Sequence, residues 1–184
     1  EPLAVQHPPH QRRQRLERQA EQARQQAERD DVGPSSRDVV RHPGAVSVVP
    51  LLDYGDVVLF RQYLAPLDRF LLEIPAGKRD VAGEPPEETA RRELAEEVGL
   101  VAAELVPLTV FHNSVGFCDE ESHVFLGTGL SRTEVDLQGI EEQNMTEVRV
   151  ALRDTPALIA AGEITDAKTV IGLLLALRRI EGAD

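Results

Sequence analysis

The segment from Arg91 to Leu100 reads RRELAEEVGL and carries three glutamates, Glu93, Glu96 and Glu97. Like charges at helical spacing repel each other, at a cost of about 0.2–0.5 kcal/mol for an exposed pair. Hard divalent cations such as Mg²⁺ take oxygen ligands and would offset this repulsion. The spacing therefore indicates either a helix face in water or a cation site, and three acids alone favour the face in water.

A helical wheel puts these acids at the margin of a buried stripe. With 100° per residue, Ala90, Leu94 and Val98 fall on one side, and the three glutamates share an arc beside them. Arg92 lies one turn before Glu96, where an ion pair would hold that carboxylate in place. Two magnesium ions bound to such acids would bridge a pyrophosphate, neutralise its charge and lower the pKa of a water.

The ends of this helix have recognisable signals. Pro85 and Pro86 suit a first turn, in which a missing N–H costs little, and Gly99 suits a left-handed end. The sequence therefore predicts a helix over Glu87–Val98.

Runs of strand type surround this helix. Before it, AVSVVPLL and VVLFRQY are separated by Asp53-Tyr54-Gly55-Asp56, which predicts a hairpin. Four more runs have strand character: RFLLEIP, ELVPLTVFHN, SHVFLGTGL and TEVRVAL. Two helices follow, around Thr155–Ala161 and Asp166–Ile180. The order of strands, helix, strands and helices predicts an α/β (α+β) sandwich with helices packed against sheet.

Composition narrows the class of protein. The chain has 184 residues, 41% of them hydrophobic, and a formal net charge of −12. These values suit one packed domain of ordinary size. A broad nucleic-acid-binding face is excluded, because phosphate backbones need clustered Lys and Arg. Phosphate can still be bound through divalent cations.

Cysteine usage and hydropathy bear on location. Cys118 is the only cysteine, so the chain can form no internal disulfide and no thiolate cluster for zinc. No apolar run approaches the roughly 20 residues of a membrane-spanning helix. We therefore expect a cytoplasmic protein without a membrane partner.

The first 36 residues differ from the rest in composition. They are rich in Gln, Arg and Glu, and a thin apolar seam of Leu16, Ala20, Ala23 and Ala27 recurs at coiled-coil spacing. That seam would bury little surface. We predict an N-terminal arm over 1–36, helical or disordered, followed by one folded domain over 37–184.

The acidic helix and the loop before it resemble the signature of the Nudix hydrolase family. That signature runs Gly, a spacer, Glu, seven residues, then Arg-Glu-apolar-x-Glu-Glu-x-Gly-apolar. The spacer before Glu84 has six residues where the common pattern has five, and the extra residue falls in the loop. The matching positions are Gly77, Glu84, Arg92, Glu93, Leu94, Glu96, Glu97, Gly99 and Leu100.

This resemblance implies a Nudix-like α/β/α sandwich with a mixed sheet and a catalytic divalent metal, Mg²⁺ with Mn²⁺ as the alternative. It implies that Glu93 and Glu97 ligate the metal, that Glu96 assists and that Arg92 orients it. In the ADP-ribose-cleaving branch of the family, the carbonyl before the signature glycine also binds metal. That carbonyl belongs to Ala76 here. Glu84 would be a structural acid near the metal ligands.

The flanking stretches resemble ADP-ribose pyrophosphatases in particular. LLEIPAGK, VVRHPGAVSVVPL and GEITDAKTVIGLLLAL match the strand before the signature, the first core strand and the closing helix, over about residues 38–177. The resemblance implies hydrolysis of ADP-ribose to AMP and ribose 5-phosphate, by a homodimer. It also implies a further catalytic glutamate beyond the signature, Glu142 in IEEQNMTEV or, next, Glu141. A carboxylate on a mobile loop can position and deprotonate water.

The resemblance also implies a set of substrate-binding residues. They are Arg37, Glu73, Gly116 and Phe117. His42, His112 and His123 occur singly, and we interpret them as structural.

Three positions depart from the subfamily pattern and keep other functions open. Leu64 replaces a cationic residue, Val115 replaces a specificity proline, and Leu72 replaces an aromatic residue. One alternative is a Nudix pyrophosphatase for another nucleoside diphosphate derivative, such as NADH, a sugar nucleotide or a dinucleoside polyphosphate. A second alternative is a non-catalytic module that binds ADP-ribose.

Overall fold

The computed structural model describes residues 38–134 and 145–182. The predicted N-terminal arm, Arg37, Glu141 and Glu142 lie outside the described residues. The described strands are β1 (Ala45–Pro50), β2 (Asp56–Leu64), β3 (Arg69–Glu73), β4 (Ala76–Lys78), β5 (Leu100–His112), β6 (Glu121–Arg132) and β7 (Thr146–Ala151). The described helices are α1 (Pro86–Val98), α2 (Thr155–Ala160) and α3 (Ala167–Glu181).

The strands form two sheets. The four-stranded sheet has the order β4-β1-β6-β5, and the three-stranded sheet has the order β3-β2-β7. In the larger sheet β1 runs parallel to β6, from Ala45 opposite Ser122 to Pro50 opposite Gly127. The pairings of β1 with β4 and of β5 with β6 are antiparallel. The predicted mixed sheet is therefore confirmed.

The predicted hairpin between β1 and β2 is wrong in its pairing. The turn forms, with Gly55 at φ 91° and its N–H donating to the carbonyl of Leu52 at 2.9 Å. Beyond one antiparallel bridge between Leu51 and Val57, however, the two strands separate into different sheets. The physical reason is that β4 and β6 already occupy both edges of β1, so β1 has no edge left for β2.

Helices cover the larger sheet on both faces. Val46 and Val48 of β1 join the apolar cluster that includes Leu94 of α1. Val49 of β1 joins a second cluster, which includes Leu173 of α3. Because successive side chains of a strand point to opposite faces, β1 contributes to both clusters. The α/β/α sandwich is confirmed.

The helix α1 forms as its sequence predicts, one residue earlier than expected. Pro85 precedes it, Pro86 opens it, and Gly99 ends it in the left-handed region at φ 62°. The predicted stripe is buried, with Ala90, Leu94 and Val98 at most 5% exposed. The other face of α1 therefore remains available to the acids. Within the two described stretches, no helix has both the length and the apolar character needed to cross a membrane.

Candidate active site

An open cavity of about 460 Å³ lies beside α1 and β4 and reaches the first turn of α3. Its wall combines acids from α1 with backbone from β4 and includes the cations Lys78, Arg92 and Lys168. The acids that line it are Asp80, Glu93, Glu96, Glu97 and Glu120. The structure thus gathers Ala76, Arg92 and all three α1 glutamates of the predicted site around one cavity.

Gly77 allows the acidic helix to approach β4. This residue pairs with Val46 of β1, and a Cβ built on it would overlap the side chain of Glu93. Since only glycine lacks that atom, the Glu93 carboxylate can lie directly against the strand. Gly77 therefore brings this carboxylate next to the peptide of Ala76.

Arg92 connects the acids around this contact. Its Nη1 lies 2.9 Å from Glu93 Oε1 and 3.0 Å from Glu96 Oε2. Its Nε and Nη2 each donate to Glu84 at 3.3 Å, and Nη2 also lies 3.6 Å from Asp80. The planar guanidinium has enough donors in fixed directions for all of these contacts. The i,i+4 pair predicted between Arg92 and Glu96 is confirmed.

The surroundings of the acids change their pKa values in opposite directions. The hydrogen bonds from Arg92, and then from Thr89, hold the pKa of Glu84 below its usual value. Burial raises the pKa of Glu93, and the nearby Glu96 and Asp80 add to that effect, although Arg92 opposes it. The ionised form of Glu93 is therefore only partly compensated by its protein neighbours.

The donor set fits a hard divalent cation in its chemistry. Carboxylates and backbone carbonyls are the ligands that Mg²⁺ and Mn²⁺ prefer, and the cavity offers both. Over residues 38–134 and 145–182, no three His, Cys, Asp or Glu side chains surround a single point as they stand. Two of the three glutamates are instead directed to Arg92. The fit rests on the oxygen donors, on the contact between Glu93 and Gly77, and on the only partly compensated charge of Glu93.

The predicted substrate-binding residues lie at different distances from this wall. Glu73 is buried and pairs at 2.5 Å with Lys168 Nζ, and Lys168 in turn lines the cavity. Gly116 and Phe117 lie in the loop between β5 and β6 and do not line the described cavity. The Phe117 side chain is 58% exposed, and its carbonyl accepts a hydrogen bond from the amide of Val40.

The same loop is anchored to the segment that precedes β1. Asp119 accepts hydrogen bonds from Arg41 Nη1 at 2.8 Å and from the His42 amide at 2.9 Å. These bonds, led by that of Arg41, lower the pKa of Asp119. His42 lines the cavity, and its Nδ1 accepts from the Gly44 amide at 3.2 Å. That local bond is consistent with the structural interpretation of His42, which stays a prediction.

Sequence reasoning did not identify Lys168, Asp80 or Lys78 as part of this wall. Lys168 follows Asp166, the residue that caps α3, by two positions. This lysine lies in the stretch GEITDAKT, which resembles the start of the closing helix of ADP-ribose pyrophosphatases. Its position at the cavity depends on how α3 packs against the end of β3. No local pattern specifies that packing.

Comparison with known proteins agrees with this geometry. A family model described as the NUDIX domain matches residues 41–170. The ADP-ribose pyrophosphatase of Bacillus subtilis (strain 168) is 42% identical over 139 residues, which cover 76% of this chain and 75% of that protein. The methanol dehydrogenase activator of Bacillus methanolicus is 39% identical over 140 residues, which cover 76% of this chain and 75% of that protein.

The fold has a counterpart among solved structures. The crystal structure of an ADP compounds hydrolase matches with a TM-score of 0.68 and 27% sequence identity, and covers 76% of this chain and 74% of that chain. The family match spans the acidic helix, β4 and the first turn of α3, which are the elements that line the cavity. The chain therefore belongs to the Nudix family of hydrolases.

Proposed function

We propose that this protein hydrolyses the pyrophosphate bond of ADP-ribose to AMP and ribose 5-phosphate, with a divalent metal ion. The observation that carries the proposal is the acidic wall of α1 against β4, in a chain similar to an ADP-ribose pyrophosphatase. In the reaction, the oxygen of water forms a bond to one phosphorus atom. The bridging P–O bond breaks, and a proton of the water passes to a base.

Glu93, Glu96, Glu97 and the Ala76 carbonyl would hold the metal, which we propose to be Mg²⁺ with Mn²⁺ as the alternative. All four residues line the same cavity. When bound, the ion supplies positive charge that neutralises the pyrophosphate and acidifies nearby water. The protein's own contribution is to bring three carboxylates and a backbone carbonyl to the wall of one cavity.

Arg92 is the residue that we propose keeps the acids in place. Its contacts to Glu84, Glu93 and Glu96 compensate part of their charge. Without this compensation, three carboxylates at the edge of a core would repel one another or take up protons. Arg92 is thus a positioning residue, and Glu84 acts through it.

A carboxylate outside the described residues is our candidate for the base. We propose Glu142, with Glu141 as the next candidate, because this segment resembles the catalytic loop of ADP-ribose pyrophosphatases. A carboxylate within hydrogen-bond reach of the water can take up its proton. The cavity is open to solvent, so water can reach the acidic wall.

The remaining proposals concern substrate contacts and cellular context. We propose that Arg37, Gly116 and Phe117 contact substrate, and that Glu73 supports the cavity through Lys168. We also propose that the protein is a homodimer and that it is located in the cytoplasm. Its single cysteine, Cys118, can form no internal disulfide, which suits a reducing compartment.

The direct test is product analysis with ADP-ribose. We expect the protein with Mg²⁺ to release AMP and ribose 5-phosphate in equal amounts. Chelation of the metal should stop the reaction. No AMP at micromolar enzyme would contradict the proposed function. Binding of ADP-ribose without turnover would instead favour a non-catalytic module.

Replacement of one acid tests the site itself. We expect Glu97→Gln to lower kcat by at least about 100-fold, because an ion held by fewer charges stabilises less transition-state charge. The matched control is Glu88→Gln, since Glu88 is an exposed glutamate on the same helix that does not line the cavity. Equal activity of the two variants would rule out α1 as the metal-binding element.

A different substrate is the second candidate. Leu64 ends β2 in place of a cation, and Val115, in place of the specificity proline, is 80% exposed. These departures favour another nucleoside diphosphate derivative, such as NADH, a sugar nucleotide or a dinucleoside polyphosphate. Values of kcat/KM across such a panel decide the question, and a clear preference for ADP-ribose excludes this candidate.

A further inference from the structure

We infer that the first turn of α3 positions the backbone of β4 at the metal site, and that Thr169 is the positioning residue. This inference rests on the proposed function, in which the Ala76 carbonyl is a metal ligand.

The chain changes sheets immediately before Ala76. β3 ends at Glu73 in the three-stranded sheet, and β4 begins at Ala76 in the four-stranded sheet. Ile74 and Pro75 make the crossing, and their conformation fixes where β4 starts. The Pro75 carbonyl accepts from the amide of Val48 at 3.0 Å, so β1 holds one side of the crossing.

Thr169 holds the other side. Its Oγ1 accepts a hydrogen bond from the Ile74 amide at 3.0 Å, between residues that are both at most 2% exposed. The same hydroxyl donates to Asp166 Oδ2 at 2.6 Å, and Asp166 also caps α3 by accepting from the Thr169 amide at 3.0 Å. Because its proton is directed to Asp166, the hydroxyl oxygen is free to accept from the Ile74 amide.

A second contact between α3 and this part of the chain is the ion pair of Lys168 with Glu73. Lys168 Nζ lies 2.5 Å from Glu73 Oε1 and 3.1 Å from Asp166 Oδ2. A buried ion pair is weak support for stability, because desolvation of both charges offsets their attraction. The pair nevertheless connects α3 to the end of β3 beside the cavity, since Lys168 lines the cavity and Glu73 is three residues before Ala76.

The packing of β4 against α1 leaves β4 little room to move. The Glu93 side chain lies in the space that a Cβ on Gly77 would occupy. A shift of β4 would therefore move Ala76 and disturb the contact with Glu93 together. Metal affinity should depend steeply on the position of the crossing, since ligand sets tolerate only small displacements.

The test removes the Thr169 hydroxyl without a change in charge. Thr169→Val is nearly isosteric and leaves the Ile74 amide without its acceptor. The matched control is Thr155→Val, because Thr155 is equally buried at the start of α2 and donates to the Leu152 carbonyl at 2.7 Å, away from the cavity. Mn²⁺ affinity is measured by electron paramagnetic resonance on the full chain without substrate, and stability by urea unfolding.

We expect both variants to unfold at lower urea and only Thr169→Val to weaken Mn²⁺ binding, by about tenfold or more. Thr169→Ser should bind Mn²⁺ as the wild type does, because it keeps the hydroxyl. If Thr169→Val does not fold, Thr169→Ala against Thr169→Ser makes the same comparison.

The outcomes separate this inference from the function on which it rests. Wild-type affinity for Mn²⁺ in Thr169→Val or Thr169→Ala, together with lower stability, would overturn the positioning role and leave the proposed function intact. Absence of Mn²⁺ binding in the wild type would overturn both.

Discussion

Glu93 is held in a position that suits a cation better than it suits the metal-free protein. Its carboxylate lies against Gly77 and has little access to water, so burial raises its pKa. Arg92 compensates part of the charge but divides its donors among several acids. The ionised side chain therefore lowers the stability of the fold when no metal is bound, which is a common feature of functional sites.

A neutral isostere at this position should separate stability from activity. We expect Glu93→Gln to abolish hydrolysis while raising the Tm of the protein in EDTA at pH 7 by a few degrees. Gln keeps the volume and removes the poorly compensated charge, and Arg92 keeps Glu84 and Glu96 as partners. Thermal unfolding with and without chelator measures both effects.

The pH dependence of this difference in stability follows from the raised pKa of Glu93. A group whose pKa is higher in the folded state contributes most stability below its unfolded pKa, and loses that contribution as pH rises through the folded pKa. The advantage of Glu93→Gln should therefore be present at neutral pH and disappear below about pH 4. If Glu93→Gln has a lower Tm than the wild type at pH 7, the ionised Glu93 side chain does not destabilise the metal-free fold.

At the residue level, the sequence predicted which acids of α1 line the cavity and one of their contacts, but not the others. The spacing of Arg92 and Glu96 was sufficient to predict their ion pair, because helical geometry determines it. The contacts of Arg92 with Glu84 and Asp80 depend on the loop before α1, whose conformation has no simple sequence rule. Lys168 was missed for a similar reason, since its neighbours are distant in sequence.

Among the elements, α3 packs against the larger sheet at Gly172. A Cβ on Gly172 would meet the Val49 side chain at 2.9 Å, Ile74 at 3.1 Å and Val124 at 3.2 Å. All three neighbours are β-branched and have few alternative rotamers. This close approach holds α3, and hence Thr169 and Lys168, against the centre of the sheet.

A larger residue at this contact should force the helix away from the sheet. We expect Gly172→Val to lower the free energy of unfolding by about 1–3 kcal/mol through overpacking. Leu174→Val is the control on the same helix, because Leu174 is 43% exposed and should change stability only slightly. Urea unfolding of both variants gives the comparison, and equal midpoints would show that α3 does not need this close contact.

Element type was largely predictable, whereas strand pairing was not. Proline and glycine signals delimited α1 to within one residue, because caps act locally. The pairing of β1 with β6 joins residues that are 77 positions apart, and no local turn signal encodes it. The Asp53–Asp56 turn therefore predicted the reversal of the chain correctly and the partner of β1 wrongly.

For the whole molecule, an ion cluster joins the two sheets. Arg132 at the end of β6 lies 2.5 Å from Glu147 in β7, and Arg149 lies 2.9 Å from the same carboxylate. Burial tends to raise the pKa of Glu147, but the hydrogen bonds from both arginines outweigh it and the pKa is lowered. Glu147 thus connects the four-stranded sheet to the three-stranded sheet where the chain leaves one and enters the other.

This cluster predicts a pH dependence opposite to that of Glu93. A lowered pKa stabilises the fold above the unfolded pKa, near 4.5, and the contribution is lost as pH falls through the folded value. We expect Glu147→Gln to be less stable than wild type at pH 7 by under about 1 kcal/mol, since its partners are largely exposed. The deficit should vanish in acid.

The control for this measurement is Glu104→Gln, at an exposed glutamate on β5. Urea unfolding at pH 7 and at pH 3 gives the difference in the free energy of unfolding between each variant and the wild type. A Glu147→Gln deficit that stays constant across this range would mean that the charge of Glu147 does not contribute.

The parallel pairing of β1 and β6 has a consequence for the order of folding. β5 and β6 are neighbours in sequence and can pair by closing a short loop, as can β2 and β3. β1 can join its sheet only after a much longer loop closes, which costs more chain entropy before any contact is gained. Among the described strands β4 pairs with β1 alone, so the strand that carries Ala76 and Gly77 would be among the last to reach its place. The proposed metal site would then form late, with the acids of α1 in water during most of the folding reaction.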